Sequence, residues 1–419
     1  LASHFLASKS LFFLRCRIIM ENRQDLDDSQ LLIVFLGAVM AVVPFAVDAY
    51  LPALSLMADH FGVQLVQVNL TVSTYLIGHA LGTFIGGALS DQLGRKPLGG
   101  FGLLLFSSST LSIALAETIF QVQVFRIFQA IGGGFAAVVC MAQVRDFYPR
   151  EEVPQRMATV MIVMLVAPMI APLMGFFLLS FGWQTIFAVL AVYSLFLWYI
   201  LMFRVPESVE NLPERFEMRT LFFNYWEVLT HKQNNSYTPS CYTLFSALTS
   251  GVFFAYLTNS MAILTQYFSL TQFEFCLVFG CGGLCAMTGT LLSKRLMIVM
   301  APMRIASYGN WIHIVLLSVV WMSSLFYQVK LEVVLFTLFI SVLVAGGIRT
   351  MVAGVYMTFF ERFSGAAASF HSTIIFLFGG SIGALAAMLS DGSLTPIFGI
   401  MLLSSLGARA VLWNMTLDN

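Results

Sequence analysis

Gly87-Ala-Leu-Ser-Asp91-Gln-Leu-Gly94-Arg95-Lys96 is a charged turn set between two apolar runs, each long enough to cross a bilayer. Such a cluster tolerates neighbouring hydrocarbon only in the headgroup layer on the cytoplasmic side, where Arg and Lys are favoured. Of the 419 residues, 59% are hydrophobic and 10% charged, and the mean hydropathy is +0.86. No soluble core of this size needs that composition, so the chain reads as a polytopic membrane protein. A span takes about 20 apolar residues. Twelve such stretches are present: Leu31 to Leu51, Val66 to Leu89, Leu98 to Ala116, Ile119 to Val144, Met157 to Phe181, Ile186 to Phe203, Tyr242 to Leu264, Phe275 to Leu292, Ile305 to Phe326, Val333 to Met357, Ala366 to Leu389 and Thr395 to Trp413.

Basic residues fall in every second connection: Arg95 and Lys96; Arg145, Arg150 and Arg156; Arg204, Arg215, Arg219 and Lys232; Lys294, Arg295 and Arg304; Arg362. By the positive-inside rule those connections are cytoplasmic, and so are both termini. The other turns carry Asp59, Glu117, Glu274 and Asp391, with Lys330 the basic exception. The formal net charge is zero, and nothing in it calls for a nucleic-acid partner.

The chain divides into an N-terminal extension (1–30), a six-helix bundle (31–203), a cytoplasmic linker (204–241), a second six-helix bundle (242–413) and a short tail (414–419). Residues 1–19 lack the small-residue cleavage site of a signal peptide, and Met20 is read as the natural start. Pro206, Pro213 and Pro239 keep the linker from being one helix. Within it Leu221, Phe222, Tyr225, Val228 and Leu229 recur at helical spacing, as in an interfacial amphipathic segment or an ordinary connector. The halves repeat weakly: Gly289-Thr-Leu-Leu-Ser293-Lys294-Arg295 follows the eighth span where Gly87 to Lys96 follows the second. The six Cys are scattered, and Cys281 and Cys285 share a face without a His or carboxylate to complete a metal set. No metal and no cofactor is expected.

An ionisable side chain inside a span costs about 2.5–3.5 kcal/mol on insertion scales, so each one is a functional candidate. Asp48, in the first span, lies on one stripe with Met40 and Pro44; it either faces a cavity or caps the outer helix end near Pro52. Arg126 opens the fourth-span run Arg126-Ile-Phe-Gln129-Ala130-Ile-Gly-Gly-Gly134. At 1.5 Å per residue it lies roughly 10 Å below the outer end of its span, and Asp48 roughly 25 Å above the inner end of its own. The two share a depth, where they pair or are bridged by water, unless Arg126 snorkels outward. His79 shares a face with Tyr75 and touches substrate or simply packs. Arg349, mid-span in the tenth, binds an anionic group or locks the second half. Gln129, Tyr256 and Asn259 complete the cavity candidates, and His371 reads as interfacial.

In the fifth span Met164, Ala167, Pro168, Ala171, Pro172 and Gly175 form one helical face of small residues and prolines. Small side chains let a second helix approach closely, and prolines bend the helix. A dry, bendable contact suits an element that reseats during transport, although generic close packing has the same look.

The Gly87–Lys96 turn, the Arg126 run and the Ala171-Pro172-x-x-Gly175 face resemble the three signature motifs of major facilitator drug antiporters, over nearly the whole chain from Leu31. More narrowly, Asp48-Ala-Tyr50-Leu-Pro52-Ala-Leu54, Arg145-Asp-Phe-Tyr-Pro149 and Gly365-Ala-Ala-Ala-Ser369 resemble the bicyclomycin-resistance type of proton-coupled exporter. The resemblance implies an all-α integral membrane fold of twelve transmembrane helices in two six-helix halves, with the cavity between them. It also implies that Asp91 and Arg95 form a cytoplasmic charge relay, with Lys96 beside it, that Gly87 and Gly94 allow a tight turn, and that Asp48 and Arg126 carry proton coupling. Ala130, Ala171 and Phe176 stand where that family has glycines.

The function expected is proton-coupled export of small lipophilic or cationic drugs across the bacterial inner membrane by a monomer whose partners are its solute, protons and the bilayer. Export of an endogenous metabolite or siderophore, or uptake by symport, are the alternatives. A membrane enzyme has no metal-ligand spacing, nucleotide loop or nucleophile elbow to support it.

Overall fold

The computed structural model describes residues 26–149, 151–209, 225–231, 238–360 and 364–417. Residues 1–25 of the extension, Met20 among them, and Arg150, Pro213, Arg215, Arg219, Leu221, Phe222, Lys232 and Arg362 lie outside the described residues; residues 26–30, expected in the extension, already belong to the first helix. Among the described residues, twelve helices are long and apolar enough to cross a membrane. The reason is general: in hydrocarbon every backbone N–H and C=O must be satisfied within the chain, and a helix does this inside one segment.

The first span departs from its expected end. Helix Leu26–Asp48 stops at the carboxylate, a 3-10 turn Leu51–Ala53 follows with Pro52 in it, and helix Leu54–Phe61 carries the chain on to Gly62. Gly62 closes it in the left-handed region, at φ +62°. The apolar stretch therefore covers Gln30–Phe61, 32 residues with a break inside it. The seventh span also runs past its expected end: helix Thr238–Met261 passes into a π-helical turn, Ala262–Tyr267.

Span pairing repeats along the chain. Spans 1 and 5, 2 and 4, 3 and 4, and 3 and 6 lie against each other, and so do 7 and 11, 8 and 10, 9 and 10, and 9 and 12. Between the two sets, span 2 runs along 11 and span 5 along 8, contacts that the same six-span shift exchanges. Polar pairs cross between the sets: Thr83 Oγ1 of span 2 stands 3.2 Å from Thr373 Oγ1 of span 11, and Ser73 Oγ of span 2 stands 3.4 Å from Thr258 Oγ1 of span 7. In the 5–8 seam the Cys276 thiol donates to the Pro172 carbonyl at 3.3 Å, and Phe176 meets Phe273 at 5.6 Å.

The small-residue face of the fifth span has a specific target. A Cβ on Gly175 would lie on the carbonyl of Ala49, the residue after Asp48. Close approach of span 5 to the break in span 1 therefore requires glycine there.

Part of the linker docks. Residues 225–230 are helical; Tyr225 stacks on Phe84 of span 2 at 4.3 Å and its hydroxyl donates to the Phe84 carbonyl at 2.7 Å. One turn on, Val228 is buried with Tyr356, Phe360 and Ala367 of the second set, while Trp226 and Leu229 remain exposed.

Gly175→Ala should force spans 1 and 5 apart at about 1–3 kcal/mol, lowering the thermal midpoint of the detergent-solubilised protein. Gly354→Ala, where a Cβ meets nothing within 4 Å, should leave the midpoint in place. An unchanged midpoint for Gly175→Ala removes the close-contact account.

Candidate functional site

Asp48 is the last residue of its helix, only 5% exposed, and among the described residues it has no hydrogen bond or ion pair. A carboxyl at a helix C-terminus faces the negative end of the helix dipole. Two of the cavity candidates are buried phenols, Tyr75 of span 2 and Tyr256 of span 7, one in each set of six. Tyr75 is fully buried and its hydroxyl has no partner; Tyr256 stacks on Phe279 at 6.2 Å.

Arg126 is completely buried. It reaches the depth of Asp48 without pairing with it: Nη1 donates to the Ala46 carbonyl at 2.9 Å and to Gln129 Oε1 at 2.8 Å. Ala46 is in the last turn of the broken helix, whose carbonyls have no helical donor, so Arg126 caps the helix that presents Asp48. Rings wrap the guanidinium: Tyr50 at 3.7 Å, Phe187 at 5.2 Å and Tyr75 at 5.3 Å from their centroids. Desolvated cation–π contacts of this type are worth about 2 kcal/mol or more. Its Nε and Nη2 lack acceptors. Gln129 is held in turn, donating to Thr110 Oγ1 at 2.8 Å, which donates to the Phe106 carbonyl at 2.5 Å. Tyr50 is anchored through its hydroxyl to Thr71 Oγ1 at 2.9 Å. Tyr50, Thr110 and Phe187 were not singled out from the sequence. Only Tyr50 carried a signal, inside the Asp48 to Leu54 stretch.

A second cluster bridges the two sets of six. His79 lies parallel to Tyr75 at 6.4 Å and edge-on to Phe376 of span 11 at 4.5 Å, and Arg349 of span 10 stands 5.6 Å from the centre of that same Phe376 ring. His371 is buried rather than interfacial, stacked on Tyr356 at 4.6 Å with Nδ1 3.2 Å from Thr243 Oγ1. Met40 and Pro44 are buried in span 1 and Met164 is half-buried in span 5. Asn259 turns away into its own set, donating to the carbonyls of Ala255 at 2.9 Å and Gly383 at 3.4 Å.

In the charged turn, Gly94 at φ +92° makes the bend. Gly87 does not; it lies inside helix Leu65–Leu93, where a Cβ would strike the Ser369 side chain of span 11. The third span opens with backbone N–H groups of Arg95 and Lys96 donating to the two Glu207 carboxylate oxygens, each at 3.0 Å, an anion seated at a helix N-terminus. Arg95 Nε pairs with Asp146 Oδ2 at 3.1 Å and its Nη1 donates to Ser90 Oγ at 2.6 Å. The Asp91 side chain lies outside the described residues. On the fifth-span face Ala167, Ala171, Pro172 and Gly175 are buried and Pro168 is half-buried. No group of three His, Cys, Asp or Glu fit to hold a metal occurs among the described residues.

The Major Facilitator Superfamily family model matches residues 35–387. The chain is 28% identical over 177 residues to a bicyclomycin resistance protein homolog of Haemophilus influenzae, covering 42% of this chain and 44% of that one. It is 31% identical over 166 residues to the multidrug resistance protein MdtL of a Shewanella strain, covering 39% and 42%. An uncharacterized MFS-type transporter of Bacillus subtilis, YdgK, is 26% identical over 273 residues, covering 64% and 66%. The matched stretches thus span from under half to about two thirds of these curated relatives. Among solved structures, a D-xylose–proton symporter shares the fold at TM-score 0.68 and 14% identity, covering 90% of this chain and 96% of that one. A bacterial homolog of the human lysosomal transporter Spinster, inward-facing and unoccupied, does so at 0.67 and 13%, covering 93% and 95%. With its twelve candidate spans and a family match over most of its length, the chain belongs to the major facilitator superfamily.

Proposed function

We propose that this transporter exports small lipophilic or cationic compounds in exchange for protons across a bacterial inner membrane, with its basic connections and both termini in the cytoplasm. The observation that carries the reading is Asp48: a buried carboxyl at a helix break, without a partner among the described residues. Bicyclomycin-resistance and multidrug-resistance relatives add support for the class of solute.

In the cycle proposed, ionised Asp48 attracts a cationic or polarised solute entering from the cytoplasmic side. After the two halves rock about the 2–11 and 5–8 seams, a proton from outside neutralises the carboxyl and the attraction ends. The solute leaves, and the proton is carried inward and released. Arg126 acts indirectly, capping the helix end so that the carboxyl stays at the break. A proton crossing 100 mV releases about 2.3 kcal/mol and each pH unit adds about 1.4 kcal/mol. One proton per neutral solute then supports a gradient of roughly several hundredfold.

The test is accumulation of a lipophilic cation by everted vesicles under an imposed pH gradient. Asp48→Asn should lose gradient-driven accumulation while still exchanging labelled for unlabelled solute at equilibrium; accumulation at the wild-type level ends the coupling role. Arg126→Gln, which leaves the Ala46 carbonyl without its charged donor, should lose about tenfold or more of the rate, consistent with a charged hydrogen bond of about 1.5–3 kcal/mol. Arg126→Lys keeps a charge but not the flat stack on Tyr50 and should fall between the two.

A further inference from the structure

Arg349 is a cation in the interior of the tenth span, about 12 Å from the helix end at Met357 by helical rise, and among the described residues it makes no hydrogen bond or ion pair. Its one described contact is the face of Phe376. An unpaired guanidinium at that depth is costly, and it is half-buried rather than sealed into the packing. His79, from the first set of spans, meets the same Phe376 ring edge-on at 4.5 Å; it is buried, and among the described residues its Nδ1 has no partner. Two nitrogen-bearing side chains, one from each half, thus have unused hydrogen-bonding capacity around one ring.

The rings connect this cluster to the break in span 1. Tyr75 lies 5.3 Å from the Arg126 guanidinium that caps that break and parallel to His79, and His79 and Arg349 share Phe376. The helix end that bears Asp48, with Arg126 beside it, thus lies at one end of an aromatic strip and Arg349 at the other.

We infer that Arg349 receives a carboxylate of the transported solute, so that the cavity selects aromatic amphiphiles carrying both a cationic and an anionic group. The cationic half of this assignment rests on the export reading of Asp48; the anionic half stands on Arg349 alone. Guanidinium and carboxylate meet through two parallel N–H···O bonds, and the flanking His79 imidazole supplies a further polar contact. The aromatic body of the solute lies along Tyr75, His79 and Phe376.

Rhodamine B, which carries a delocalised cation and a carboxylate, and rhodamine B methyl ester, which carries the cation alone, separate the two terms. Their dissociation constants are measured by fluorescence polarisation on the purified full chain in nanodiscs, with empty nanodiscs subtracted and no gradient applied. Wild type should bind the acid about tenfold or more tighter than the ester, the scale of one charge-assisted bidentate contact. Arg349→Gln should bring the ratio close to one, and Arg349→Lys should keep a preference of a few fold. A preserved thermal midpoint confirms that each variant is folded. A wild-type ratio near one, a ratio that survives Arg349→Gln, or no saturable binding of either dye overturns the assignment. If the ratio behaves as expected while Asp48→Asn still drives accumulation in vesicles, the coupling role of Asp48 falls and the carboxylate subsite remains.

Discussion

A helix inside hydrocarbon ends only where something else takes up the carbonyls it leaves bare, and the first span ends at Asp48 with Arg126 on the Ala46 carbonyl. That bond orders much of the first half. Arg126 is fixed by Gln129 and by three rings, Tyr50 by Thr71, and the far side of the break by Gly175 against Ala49. Five spans meet there, and the carboxyl they present has no partner among the described residues.

The two halves share one pairing pattern but not one chemistry. The first concentrates its buried charge at a helix break; the second carries Arg349 within an unbroken helix, Leu331–Met357. The glycine-rich loop repeat shows the same divergence. Gly87 brings span 2 onto Ser369 across the seam, whereas Gly289 brings span 8 onto the Leu343 backbone within its own half.

Span count, loop charge and the exceptional status of Asp48, Arg126 and Arg349 were legible because hydrocarbon penalises charge and bare backbone whatever the tertiary contacts. The extension of the first span to Phe61 was not. Pro52 was read beside the outer helix end and Asp59 in a turn, whereas the chain is helical again from Leu54 to Phe61. The shared depth of Arg126 and Asp48 followed from helical rise, but the choice of Ala46 over Asp48 as acceptor depends on rings from spans 1, 2 and 6. The resemblance made Gly87 a turn residue, while the neighbour that requires glycine there, Ser369, lies far along the chain.

The docked piece of linker alters how the halves are joined. Tyr225 holds the backbone of span 2 through its hydroxyl and ring, and Val228 is lodged among side chains of spans 10 and 11. Force between the halves passes through one helical turn instead of through slack chain. Parting them on that side breaks a stacked ring and a hydrogen bond together, so the connector works as a snap fastener, setting a threshold for separation that a longer tether would not relieve.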